Sequence, residues 1–425
     1  MVLKADDPYG IKREELIKES GARIIFTPNR PINSIDLFMG RKDIVKSVIE
    51  GLNTPGQHLL LYGDRGVGKS SLANITVSIL KNSDLIEGKL LTKRCSSHDT
   101  FETISNDLIS EYIDEPYLSE ETFSSTHKEE AGAKIIGIGA KLGNETQSTK
   151  KFIYSSDITP SNIAKLLKDK KGLYLIDEFD ILDKEQDKHD LAQLIKLLSD
   201  YQSPFKIFIV GISQSGTDLT AGHPSVSRCL KEIKLERMTN KEIKDIIDNG
   251  MKKLSIELSE QVKNIITSIC NGYPHFAHLI GLKCAEEAIV NDIKKITKSH
   301  FIGAIDNAVK DAEGTLKRLY DNATQNASET KKRNIQLILK SCSICNHDDF
   351  TISDIATKLK DYGNELSNKT VSDYIRQFTS ENGDSILRRI KKGVYRFNDP
   401  RMVSYIKMKE NLLERDRLAL KHGEI

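Results

Sequence analysis

The chain has 425 residues, too many for one core, so two or three domains are expected. Hydrophobic residues at 38% and charged residues at 29% exclude a disordered or fibrous class. The formal net charge of +2 excludes a globally basic protein, so any nucleic-acid surface has to be local.

Residues 1–35 read as an N-terminal extension, a polar helix followed by the proline-punctuated RIIFTPNRPINS. The charged start MVLKADDPYGIKREEL is unlike a secretory signal, and no apolar run approaches the ~20 residues of a membrane-spanning helix. A cytoplasmic protein without membrane association is expected. IDLFMGRKDIVKSVIEGL sets a Gly-Arg turn ahead of an amphipathic helix. The apolar run His58–Tyr62 reads as a buried strand, and SSLANITVSILKN beyond its glycine-rich turn is helical by period. GKLLTKRC and TFETISNDLISEYI repeat strand and helix. Residues 114–156, rich in Ser, Thr, Gly and Lys around AKIIGIGAKL, read as an insertion. Next come the helix TPSNIAKLLKDK, with Thr159 as cap and Pro160 in its first turn, and the strand GLYLIDEFD. The helix HDLAQLIKLLSDY and the strand FKIFIVGIS follow. This alternation predicts an α/β core over residues 36–236, a parallel sheet with helices on both faces.

Past Glu236 the strands stop. TNKEIKDIIDNGMKKL, SEQVKNIITSICNG and PHFAHLIGLKCAEEAIV predict an all-α lid, and SHFIGAIDNAVKDAEGTLKRLYDNA a connecting helix, together over 237–325. Residues 326–408 read as three helices, RNIQLILKSC, TISDIATKL and NKTVSDYIRQFTSEN, then the strands SILRRIKKG and VYRFND. That is the order of a winged helix. Residues 409–425 read as a charged helix or tail. The six cysteines have no regular spacing and read as reduced thiols. Only Cys342, Cys345 and His347 have metal-like spacing; without a second ligand pair they read as packing groups on a helix.

GDRGVGKS, Gly63 to Ser70, fits G-x-x-x-x-G-K-[ST] between a strand and a helix, the setting of a nucleotide-binding phosphate loop. Gly63, Gly66 and Gly68 let the backbone of Asp64, Arg65 and Val67 wrap with its amides toward phosphate. The helix that starts near Lys69 adds its N-terminal partial charge. Lys69 reaches the β- and γ-phosphates, Ser70 ligates Mg²⁺, and Ser71 lies near the α-phosphate. LYLIDEFD ends a buried strand on Asp177, placed to hold Mg²⁺ through water, and Glu178, placed as general base. Ser213 and Gln214, after the next strand, fall where a polar side chain can touch the γ-phosphate or the water; spacing does not choose between them, nor against a plain loop exit. In SILRRIKKGVYRF, Arg388, Arg389, Lys391, Lys392 and Arg396 form a basic hairpin, with Arg389, Lys391 and Arg396 on one face as a candidate phosphate contact. A solvated face is the alternative.

The order of these motifs resembles the AAA+ ATPases, on their origin-recognition and clamp-loader side, together with the prokaryotic STAND-type signalling ATPases. LFMGRKDIV, GDRGVGKSS, LYLIDEFD, IVGISQS, SVSRCLKEIKLERMTNKEI, NGYPHF and the C-terminal winged helix carry it, over most of residues 36–400. The resemblance implies an ATPase that uses ATP and Mg²⁺. In clamp-loader ATPases a Ser-Arg-Cys segment gives an arginine finger to the neighbouring subunit. Ser227-Arg228-Cys229 matches it and implies that Arg228 reaches a neighbour's γ-phosphate in a homo-oligomer; an intramolecular salt bridge is the alternative. Arg41 looks like the residue beside adenine or ribose, with Ile24, Phe26 and Pro28 as lining. NGYPHF departs from the lid arginine of many AAA+ proteins. Gly272-Tyr273-Pro274 looks like the Gly-x-Pro turn of STAND ATPases, and His275 takes the arginine's place. Two functions follow. One is an oligomeric ATPase acting on duplex DNA. The other is a signalling switch, of a kind found in antiviral defence, that controls a separate effector protein.

Overall fold

The computed structural model describes residues 7, 9–83, 85, 87–112, 158–213, 226–324, 328–345, 347–364, 366–379 and 385–411. The expected insertion at 114–156, Gln214, and all but the first residues of the expected tail lie outside them. The chain gathers in two compact units. One holds residues 41–63 and 72–235; the other holds 1–40, 64–71 and 236–425.

The first unit is a sheet of five strands: β1 (His58–Gly63), β2 (Lys89–Arg94), β3 (Gly172–Asp177), β4 (Phe205–Ile212) and β5 (Leu230–Lys234). Their order is β2-β3-β4-β1-β5, and every neighbour pair is parallel. The three inner strands are near-continuous apolar runs because both of their faces are covered; the edge strands β2 and β5 are half exposed. Helices Phe101–Tyr112, Pro160–Leu167 and Glu185–Asp200 bring Phe101, Leu108, Leu167, Leu194 and Leu198 into one core with Tyr174 and Ile207. Each such side chain contributes about 1.5–3 kcal/mol on burial. Thr159 caps its helix as expected, accepting from the N–H of Asn162 at 3.3 Å, with Pro160 at the first position.

His58 opens β1 and accepts a hydrogen bond from the N–H of Ile207 through Nδ1 at 3.0 Å. Its complete burial pushes its pKa down to about 3. In the second unit His278, accepting from the N–H of Thr27, is pushed down to about 4 by the same cause. A base with a depressed pKa folds neutral, so its contribution is intact above the unfolded value near 6.5. It is lost as pH falls from there toward 4 and then 3. Urea midpoints are therefore expected to drop between pH 6.5 and pH 4, and His58→Asn, which keeps an acceptor but cannot titrate, is expected to flatten part of that slope.

In the second unit the helix Pro274–Val290 is apolar nearly all round and is buried accordingly. Helices Asn240–Lys253, Glu260–Cys270 and Lys298–Lys310 surround it. Thr239 and Glu242 form a capping box at the first of these. Phe26 wedges into this core. A Cβ at Gly250 or Gly281 would come within 2.3 or 2.5 Å of its ring, so both positions need glycine. Phe26 is thus a core residue rather than the lining expected for it, and Ile24 is 65% exposed. Two further expectations change. Strands do not stop at Glu236: β6 (Glu257–Leu258) and β7 (Lys295–Ile296) pair in parallel. The expected connecting helix is two, Lys298–Lys310 and Gly314–Thr324, broken where Asp311 and Gly314, poor helix formers, flank Glu313.

After the helix Glu329–Ser343 come β8 (Phe350–Thr351), the helices Ile352–Asp361 and Asn368–Phe378, and the antiparallel strands β9 (Leu387–Lys391) and β10 (Val394–Phe397). β10 pairs with both β8 and β9. Phe350 and Phe397 meet edge to face at 5.7 Å over a core of Ile355, Val371, Ile375 and Leu387. Residues 402–411 are helical. Cys342 is buried, and among the described residues no group of three metal-ligating side chains forms.

Candidate functional site

β1 delivers its apolar run to Gly63, at the carboxyl end of the sheet. Gly63 has φ 148°, and a Cβ there would lie 2.5 Å from the carbonyl oxygen of Leu235, which leaves β5 beside it. Gly66 (φ 82°) and Gly68 (φ 95°) carry the turn through left-handed backbone that other residues rarely adopt. The helix Lys69–Asn82 then begins. Lys69 is buried, and its Nζ donates to the carbonyl of Asp64 at 2.8 Å, so the ammonium sits inside the curl of its own loop. Val67 is buried. The hydroxyl of Ser71 accepts from the N–H of Ile32 at 3.0 Å and pins the entering chain to the helix start, a structural task in addition to the one expected.

The lid turn lies on this loop within the same unit. Pro274 is the first residue of its helix, and its Cγ is 3.5 Å from where a Cβ of Gly68 would stand. The hydroxyl of Tyr273 donates to Oδ2 of Asp64 at 3.4 Å. Arg237 stacks over the Tyr273 ring at 4.9 Å. It pairs with Asp348 at 2.8 Å and lies 3.7 Å from Asp64. His275 does not point a charged group outward; its Nδ1 is 3.0 Å from the carbonyl oxygen of Pro28, and burial lowers its pKa. Arg65 is 3.2 Å from Glu313, and Glu313 pairs with the buried Arg401. Sequence reasoning missed Arg237, Glu313 and Arg401, since only tertiary packing brings them to the loop.

At the carboxyl end of β3, Asp177 accepts through Oδ1 from the N–H of Glu178 at 2.9 Å. Glu178 holds left-handed backbone, φ 57°, a strain typical of functional positions. Its Oε1 accepts from Nη2 of Arg94 at 2.6 Å, charge-assisted and across the β2–β3 register that sets Arg94 opposite Asp177. The sequence signal for Arg94 was a strand ending on a basic residue. Asp180 accepts from the N–H of Ile212 at 2.6 Å. Ser213 follows β4 directly. Arg41 is buried in left-handed backbone (φ 58°) at the start of the helix Lys42–Asn53. Arg228 is 73% exposed and, among the described residues, makes a long contact of 3.7 Å to Asp200.

On the hairpin, Arg388, Arg389, Lys391 and Lys392 are exposed. Arg396 is corrected. A register shift between Val394 and Tyr395 sets it opposite Arg388, on that residue's face rather than that of Arg389. It is held by Asp349 at 2.6 Å.

Phosphate fits the loop on two observations. The glycines leave the inner rim without side chains, and the buried Lys69 ammonium is held against that rim by a backbone carbonyl. Ser70 at the helix start and Asp177 at the strand end are hard oxygen donors suited to Mg²⁺.

Residues 32–329 match the model of the family described as Novel STAND NTPase 1. Among solved structures, the chain is similar to the Walker-type ATPase paby2304 of Pyrococcus abyssi, at 16% identity over 90% of this chain and 99% of that one, with a TM-score of 0.50. It is also similar to the Aeropyrum pernix ORC1 protein solved in complex with DNA (14% identity, 92% and 97% covered, TM-score 0.46). A third similar structure is the Thermotoga maritima RuvB Holliday junction branch migration motor (17%, 86% and 95%, TM-score 0.44). Likeness at such identities speaks for the fold alone. No curated protein matches the sequence.

Proposed function

The chain belongs to the Novel STAND NTPase 1 family and is a P-loop nucleoside triphosphatase, and from that premise we propose that it is an ATP-hydrolysing switch whose lid is locked to the phosphate loop. One observation carries this: inside one compact unit, Tyr273, Pro274 and Arg237 of the lid side contact Asp64 and Gly68 of the loop. A ligand on the loop therefore bears directly on the lid.

Lys69 and the loop amides bind the ATP phosphates, and Ser70 and Asp177 hold Mg²⁺. Bound Mg²⁺ supplies charge neutralisation at the β- and γ-phosphates. Glu178 takes a proton from the attacking water, and Arg94 orients its carboxylate. Ser213 touches the γ-phosphate or the attacking water. Arg41 stands beside adenine or ribose, and the Pro274–His275 turn stands by the phosphate loop. Arg228 completes a neighbour's site in a homo-oligomer. The state of the lid is passed to a separate effector protein.

A second reading, action on duplex DNA, is favoured by the four exposed cations Arg388, Arg389, Lys391 and Lys392 on one hairpin of a winged-helix-like unit. Size exclusion with light scattering, on wild type and Glu178→Gln, separates the two. The switch is expected to change mass with ATP alone. A mass change that requires duplex DNA, with DNA-stimulated turnover, moves the conclusion to the second reading; no ATP response removes the first.

A further inference from the structure

The loop built for polyanions is bordered, within its own compact unit, by a carboxylate that engages two arginines. Glu313 sits in the break between the helices Lys298–Lys310 and Gly314–Thr324. Its Oε1 is 3.2 Å from Nη2 of Arg65, a residue of the glycine-rich motif itself. Its other oxygen pairs with Nη1 of Arg401.

Arg401 is the unusual partner. Its side chain is 4% exposed, and its Cδ lies 2.9 Å from where a Cβ of Gly66 would stand. A cation this buried persists only where anions satisfy it. Two carboxylates share that task. Asp399 takes Nε at 3.0 Å and Nη2 at 2.6 Å, while Glu313 takes Nη1 and also accepts from Nη2 at 3.3 Å. If Glu313 leaves, Arg401 stays charged and held by Asp399, and Nη1 becomes a donor for another anion. The fork geometry of a guanidinium suits a phosphate oxygen in that place. Arg65, at 60% exposure, is likewise released.

Resting on the reading of the loop as a nucleotide site, we propose that Glu313 is an internal anion that competes with the terminal phosphate of a nucleoside triphosphate for Arg65 and Arg401. A triphosphate carries one more phosphoryl group than a diphosphate, so it is the ligand that displaces Glu313. Displacement frees the helix junction on which Glu313 sits. Linkage makes the effect reciprocal: whatever draws Glu313 away raises triphosphate affinity by the same factor.

The test is titration of the full chain, in the presence of Mg²⁺, with fluorescent adenosine tri- and diphosphate. Glu313→Gln keeps the side chain's size and removes its charge. It is expected to tighten triphosphate binding about 10-fold, a typical coupling, with a much smaller effect on the diphosphate. Arg65→Gln removes the exposed partner and leaves the buried pair intact, so folding is not at risk. It is expected to weaken the triphosphate more than the diphosphate. Equal shifts for both nucleotides, or no tightening in Glu313→Gln, overturn the competition while leaving the nucleotide site in place. Loss of all nucleotide binding in wild type overturns the site and the competition together.

Discussion

Glu178→Gln is expected to lower ATP turnover by about 10²–10⁴-fold, the usual worth of a positioned general base, while ATP binding persists. The side chain is well placed for that separation. Its backbone is fixed by the Asp177 carboxylate at 2.9 Å and its carboxylate by Arg94 at 2.6 Å. Glutamine keeps the length and an oxygen for Arg94 but cannot take a proton. Binding is measured by nucleotide titration and turnover by phosphate release, with the melting temperature as control for folding. A loss below about 10-fold, short of that range, would take the base role from Glu178 and leave its pair with Arg94 as a structural link between β2 and β3.

Arg228→Ala is expected to reduce turnover by about 10³-fold at concentrations where the chain associates, the scale of a trans arginine. The fold has little reason to notice the change. The side chain is 73% exposed and its contact with Asp200 is long, at 3.7 Å. Such surface pairs are worth about 0–1 kcal/mol. Mixing distinguishes the roles. Glu178→Gln subunits lack a base but carry Arg228, and Arg228→Ala subunits carry the base. Recovery of activity in the mixture places the arginine across an interface. Unchanged activity in Arg228→Ala alone makes it a surface partner of Asp200.

Much of the frame was legible. The runs His58–Gly63, Gly172–Asp177 and Phe205–Ile212 had to be inner strands, because only strands covered on both faces tolerate such continuous apolarity. The glycine spacing gave the loop, since left-handed backbone at Gly66 and Gly68 admits little else. The errors were local. Arg396 was assigned a face by strict alternation, and a one-residue bulge turned it toward Asp349. Phe26 was given to the base by the resemblance, but Gly250 and Gly281 open a core slot for its ring.

The amino-acid sequence by itself determined the parallel sheet, the phosphate loop and the Asp177–Glu178 pair, because each is written in contiguous residues with local periodicity or fixed spacing. Only the tertiary structure decided which charges face the loop. Arg237, Glu313, Asp348 and Arg401 lie 172 to 337 positions from Asp64 and Arg65, and ion pairs at such separation leave no period and no spacing. They form because a buried guanidinium such as that of Arg401 needs anions wherever the packed chain supplies them.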